Sequence, residues 1–103
     1  QQRMIEIARA IVGRPKVLLL DEPAAGLSPD RVHDLEVLVR RIRAERGVTV
    51  LMIEHVIRLI MSLCDTVTVM ASGRKISEGT PDYVANDETV IEAYLGRSQH
   101  AVG

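Results

Sequence analysis

Two pairs of adjacent polar residues stand out for the chemistry they could share. Asp21-Glu22 follows directly on the apolar run Val17-Leu18-Leu19-Leu20, and Glu54-His55 follows directly on Val48-Thr49-Val50-Leu51-Met52-Ile53. An aspartate at the tip of a rigid apolar segment presents a short carboxylate that can accept bonds from metal-bound water. A glutamate beside it reaches farther and can take a proton from an attacking water. A histidine on a neighbouring segment can donate a hydrogen bond to an oxygen on which charge develops. Stability explains two adjacent acids less well, because partly buried like charges raise one another's pKa. Acids after strands also cap turns and helix starts, and that plainer account suffices for an arbitrary Asp-Glu. What sets this one apart is its continuation, Pro23 and then the turn Ala24-Ala25-Gly26-Leu27-Ser28-Pro29.

These groups can cooperate only if both pairs emerge at one edge of the fold. The two apolar runs are too short for helices and suit strands buried on both faces. Met4, Ile5, Ala8, Ile11 and Val12 recur at helical spacing, predicting a helix over 2–13 that Gly13 can end. Ser28 is the expected N-cap of the next helix, with Pro29 at its first position and Gly47 stopping it after Arg46. Its apolar face is Val32, Leu35, Leu38, Val39 and Ile42. Arg40, Arg41, Arg43 and Arg46 crowd its last turns, where solvated cations complement the negative helix end. A short helix over 56–63 should turn Val56, Leu59, Ile60 and Leu63 inward.

Residues 65–70 and 74–79 flank Ala71-Ser72-Gly73 as a hairpin, and Thr80-Pro81-Asp82 and Asp87 each start a further helix, the second through Leu95 to Gly96. Residues 97–103 read as a flexible tail. Helices alternating with strands imply an α/β fold with a parallel sheet and right-handed crossovers. In such sheets ligands bind beyond the carboxyl ends of the strands, where both polar pairs lie.

The 103 residues suit one domain or part of one, able to bury roughly two thirds of their unfolded surface. Aliphatic residues must build the core, since there is no Phe or Trp and only Tyr83 and Tyr94. The same lack argues against nucleic-acid binding by base stacking. A formal net charge of −1 lacks the basic excess of a sequence-independent nucleic-acid binder. Cys64, the one cysteine, excludes an internal disulfide and reads as a small buried hydrophobe. His33 and His100 read as exposed bystanders, and the methionines follow the core pattern. No apolar run approaches the length of a membrane span. The first residue is not Met, and the ends are those expected of a fragment.

At these residues the sequence resembles the ATP-binding cassette (ABC) ATPases. "VLLLDEP" resembles the family's Walker B strand with its glutamate, "AAGLSPD" its D-loop, and "IEH" its switch-histidine loop. "QQRMIEIARAIVGRPK" is similar to the helix that follows the signature motif. "GRKISEGTPDYVANDETVIEAYLG" resembles the ending of transporter cassettes, branched-chain amino-acid importers in particular. Nearly the whole chain is covered, with motif order and spacing intact.

The resemblance implies a partial P-loop NTPase sheet of the RecA-like type, with flanking helices and a C-terminal hairpin plus short helices. Residues 1–96 would be the C-terminal portion of the ATPase domain. Asp21 would hold Mg²⁺ through water, Glu22 would act as general base and His55 would contact the γ-phosphate. Gly26, Leu27 and Ser28 would face a second cassette, although the family's commoner pattern carries Asp where Ser28 stands. Gln1 and Gln2 would edge the signature motif, which acts on the partner's nucleotide. The whole cassette would use ATP and Mg²⁺ to drive solute import through transmembrane permease subunits, from the cytoplasmic face of the cell membrane.

The sequence contains no G-x-x-x-x-G-K-[ST] phosphate cradle. The segment by itself is therefore expected to bind ATP negligibly and to be inactive. Three other functions compete: a non-transport ABC head, as in DNA repair, which generally lacks the "GRKISEGTP" hairpin; a non-catalytic truncated fragment retaining interaction surfaces; and a metal-dependent hydrolase built from Asp21, Glu22, Glu54 and His55. In the family's architecture a strand outside this sequence would lie between the strand ending at Ile53 and the one at 66–70, leaving unpaired edges. Such edges recruit other chains. The isolated segment is expected to self-associate in analytical sedimentation, and a monodisperse monomer at high concentration would count against this.

Overall fold

The structure, a computed structural model, describes the backbone over residues 2–95 and the side chains over residues 5–94. The chain divides into two compact units, with the boundary between Leu63 and Cys64. The first holds α1 (Gln2–Val12), β1 (Val17–Asp21), α2 (Pro29–Arg46), β2 (Thr49–Ile53) and α3 (Ile57–Leu63). β1 and β2 pair in parallel, Leu18 opposite Val50, Leu20 opposite Met52 and Asp21 opposite Ile53. Among the described residues this parallel sheet has two strands, because the next strand along the chain pairs antiparallel with its successor.

α2 begins and ends as its sequence dictates. Ser28 takes an extended backbone and its Oγ accepts the Arg31 N–H at 3.4 Å, with Pro29 following. Gly47, at φ 64°, closes the helix by donating its N–H to the Arg43 carbonyl at 3.2 Å. Val32, Leu35, Val39 and Ile42 are buried along one stripe and Leu38 packs partly against it. Leu59 and Leu63 of α3, Ile7 and Ile11 of α1 and Leu18 and Leu20 of β1 complete the core. Removing a side chain such as Leu35 from water contributes about 1.5–3 kcal/mol.

Four expectations need correction. α1 buries Ile7 and Ile11, while Ile5, Ala8 and Val12 are exposed. The helix carries apolar residues on two stripes, so periodicity could not choose which one packs. Its end is turned by Arg14, at φ 53°, not by Gly13. β1 is buried on one face only: Leu18 and Leu20 are covered, while Val17 and Leu19 are 53% and 69% exposed. The register puts Val17 opposite Thr49 and Leu19 opposite Leu51, and Leu51 and Ile53 of β2 are also exposed, so the described elements cover a single side of the strand pair. Finally, Arg43 Nη1 donates to the Leu63 carbonyl at 2.7 Å and Arg40 Nη2 to the Ser62 carbonyl. These arginines satisfy the orphan carbonyls ending α3, while Arg40 also pairs with Glu36 at 3.5 Å and Arg41 pairs with Glu45 at 3.4 Å.

The second unit holds β3 (Val67–Ala71), β4 (Arg74–Gly79), α4 (Pro81–Ala85), α5 (Glu88–Val90) and a π-helical turn over Ile91–Leu95. β3 and β4 form the expected hairpin, joined by Ser72 at φ 50° and Gly73 at φ 76°. Two left-handed residues make the turn whose twist matches that of paired strands. Thr80 caps α4 by accepting the Tyr83 N–H at 3.2 Å, and Val84 is buried. Cys64 is half-buried and His33 exposed. Gln1, the Gln2 side chain, His100 and the tail at 97–103 lie outside the described residues.

Asp87 caps α5 and ties it to the hairpin. Its Oδ1 accepts the Thr89 N–H at 2.9 Å, and its Oδ2 accepts the hydroxyl of Ser77, a buried polar residue of β4, at 2.7 Å. The Ser77 hydroxyl foremost, then the Thr89 N–H, hold the Asp87 carboxyl below the ordinary aspartate value. A carboxyl lowered on folding adds stability above its unfolded pKa and loses it as pH falls through the folded one. Ser77→Ala should therefore raise the Asp87 pKa in an NMR titration and flatten the loss of thermal stability below about pH 4. An unmoved Asp87 titration would show that the Ser77 contact has no energetic consequence.

Candidate functional site

In-register parallel pairing makes β1 and β2 end together, and the chain leaves both strands at one edge. The Glu22 N–H donates to the Ile53 carbonyl at 2.7 Å, extending the ladder one residue beyond β1. Glu22 itself sits at φ 46°, in the left-handed region that a bulky acid seldom occupies. The chain then reverses tightly. Ala25 donates to the Glu22 carbonyl and Leu27 to the Ala24 carbonyl, each at 3.1 Å, with Gly26 at φ 76°. Pro23 and Ala24 are buried and Leu27 packs against the core, so the turn is anchored before Ser28 opens α2.

This geometry brings Glu22 and His55 into contact. His55 Nδ1 lies 3.0 Å from Glu22 Oε1, both side chains substantially exposed. A carboxylate accepts, so Nδ1 carries the proton between them and Nε2 is left facing away from Glu22. A proton acceptor and a proton donor thus stand together at an open strand edge. Asp21 ends β1 as an exposed carboxylate beside them. Such a group suits Mg²⁺, which binds through one or two carboxylates and takes other ligands from water and phosphate. Among the described residues no three His, Cys, Asp or Glu side chains converge to hold a metal unaided. Of the four groups in the metal-hydrolase alternative, Glu54 is instead occupied by backbone amides.

Glu54 is the residue whose part sequence reasoning missed. Its Oε2 accepts the Ala24 N–H at 3.0 Å, and its Oε1 accepts the His55 N–H at 3.0 Å and the Val56 N–H at 3.4 Å. A signal was present: α3 starts at Ile57 with no Ser, Thr, Asp or Asn immediately before it, so its leading amides needed another acceptor. Gly26 and Ser28 are exposed, whereas Leu27 is half-buried. Gln1 and Gln2 cannot be placed at the site, since they lie outside the described side chains.

Comparison with known proteins gives this edge a context. Residues 74–100 match the family model described as branched-chain amino acid ATP-binding cassette transporter. Over 98 residues, 95% of the chain, the sequence is 47% identical to the high-affinity branched-chain amino acid transport ATP-binding protein BraF of Pseudomonas aeruginosa. It is 41% identical over 96 residues, 93% of the chain, to the lipopolysaccharide export system ATP-binding protein LptB of Haemophilus influenzae. A crystal structure of an ATP-binding cassette of an ABC transporter in its ADP conformation superposes with a TM-score of 0.80 at 36% identity, covering 91% of this chain and 38% of that one. The chain spans 38% of the length of BraF and 39% of LptB.

The left-handed Gly26 supplies a direct test of the turn. Beyond its two chain neighbours no atom lies within 4 Å of where a Cβ would stand, so Gly26→Ala introduces backbone strain without a clash. The expected loss is about 1–2 kcal/mol in denaturant unfolding, and an unchanged midpoint would mean that the turn relaxes freely.

Proposed function

Because the chain belongs to the ATP-binding cassette ATPases, we propose that its Glu22–His55 edge is the hydrolytic half of an ATP site that drives solute transport. The carrying observation is the 3.0 Å contact between His55 Nδ1 and Glu22 Oε1 at the carboxyl ends of two parallel strands. Asp21 would hold Mg²⁺ through water, and the ion when bound supplies charge neutralisation at the phosphates. Glu22 orients the attacking water and accepts its proton. His55 offers the γ-phosphate an N–H whose present acceptor is Glu22. Turning that ring to a phosphate oxygen frees Glu22 Oε1 for the water, so one movement readies both groups. No part of this chain supplies the Walker A cradle, and ATP binding requires the complete cassette.

Gly26, Leu27 and Ser28 would contact a second cassette, and permease subunits would carry the solute, with the ATPase peripheral on the inner face of the membrane. Among the described residues no helix is long and apolar enough to cross a membrane. Import of branched-chain amino acids is supported by the match over residues 74–100, a stretch of sequence that contains none of the hydrolytic residues. The 41% identity to an export ATPase shows why the edge itself cannot name the solute. The uncovered face of Val17, Leu19, Leu51 and Ile53 supports self-association of the isolated chain.

In the complete cassette with its permease, Glu22→Gln should lower ATP turnover by about 100-fold or more while ATP still binds. His55→Ala should do likewise. Turnover within twofold of wild type in Glu22→Gln would remove Glu22 from the chemistry.

A further inference from the structure

We infer that Glu54 is a positioning residue for the hydrolytic pair, clamping the two loops on which Glu22 and His55 ride. This rests on the hydrolytic reading above and names a residue that the reading does not use. A single carboxylate accepts from both sides of the edge: from Ala24, two residues beyond Glu22, and from His55 and Val56 themselves. The strand ladder adds one further tie, the Glu22 N–H to the Ile53 carbonyl. Two cross-links therefore bracket the 3.0 Å contact between Glu22 and His55, one from the main chain and one from Glu54.

The clamp also accounts for a backbone that would otherwise relax. Glu22 is held at φ 46°, and such conformations persist where surrounding bonds over-determine them. The Ala24 N–H is the first amide beyond Pro23, which has none of its own, so the turn has few donors with which to anchor itself to β2's loop. Glu54 takes that donor. Its half-buried stem keeps the carboxylate between the loops, and its two oxygens are shared unequally, Oε2 on the Glu22 side and Oε1 on the His55 side. Because the same side chain fixes both loops, displacement of either one is felt by the other. Glu54 acts through Glu22 and His55 and need touch neither water nor nucleotide.

The test is made on the complete cassette assembled with its permease. Glu54→Ala should lower kcat by about 10–100-fold with the KM for ATP changed less than about threefold, as expected when reacting groups are misplaced rather than binding lost. Glu54→Gln, which keeps one accepting oxygen and cannot serve both loops equally, should fall between. The His55 ring nitrogens, read by ¹⁵N NMR, should lose their preference for the Nδ1–H form in Glu54→Ala. Val39→Ala, in the core away from the edge, controls for general destabilisation and should leave kcat within about twofold. A Glu54→Ala enzyme with unchanged kcat, a kcat loss matched by Val39→Ala, or an unaltered His55 spectrum would each overturn the assignment. The spectrum reports on the clamp without turnover, so it stands apart from the outcome of Glu22→Gln, on which the hydrolytic reading depends.

Discussion

Everything at the polar edge depends on one constraint, the in-register parallel pairing of β1 with β2. Parallel strands end on the same side of their sheet, so residues following each strand emerge together. A slip of one residue would turn the buried Leu18 and Leu20 outward and carry Glu22 away from His55. Core packing and site geometry therefore share a determinant. Leu18 and Leu20 of β1, held in the core, also fix the register that aligns the acid with the imidazole.

The edge combines strain with restraint. Glu22 and Gly26 both take left-handed backbone within one short reversal, yet only the glycine does so without steric cost. A left-handed glutamate is tolerable because its own N–H donates to the Ile53 carbonyl and the Ala24 N–H donates to the Glu54 carboxylate, fixing the chain on either side. At the far end of the same layer, Arg40 and Arg43 hold the last carbonyls of α3 to α2. The helix after the acid loop and the helix after the histidine loop are thus joined at both ends, by a carboxylate at one and guanidinium groups at the other.

The uncovered apolar face bears on how the chain is used. Val17 and Leu19 alternate with buried neighbours, and Leu51 and Ile53 with the half-buried Val50 and Met52, a strand pair with one side packed and one side open among the described residues. The sequence composition of those strands is that of a sheet covered on both sides. The chain spans 38% of the length of BraF, and an open apolar face is what a sheet presents when its second layer comes from elsewhere.

Much was legible in the sequence because the informative signals are local. The Ser28-Pro29 start and Gly47 stop of α2, the Ser72-Gly73 turn and the Thr80 and Asp87 caps follow from backbone preferences of single residues. Apolar run followed by acid, met twice, was enough to place both polar pairs at one edge. Other features needed tertiary structure. Which stripe of α1 packs, that Arg40 and Arg43 serve α3, and that Glu54 bridges two loops are decided by partners 20 to 30 residues away in sequence. The sequence by itself determined the elements and the chemical groups at their ends. Tertiary structure decided their partnerships, because a carboxylate's role is set by whichever donors the fold brings within 3 Å of it.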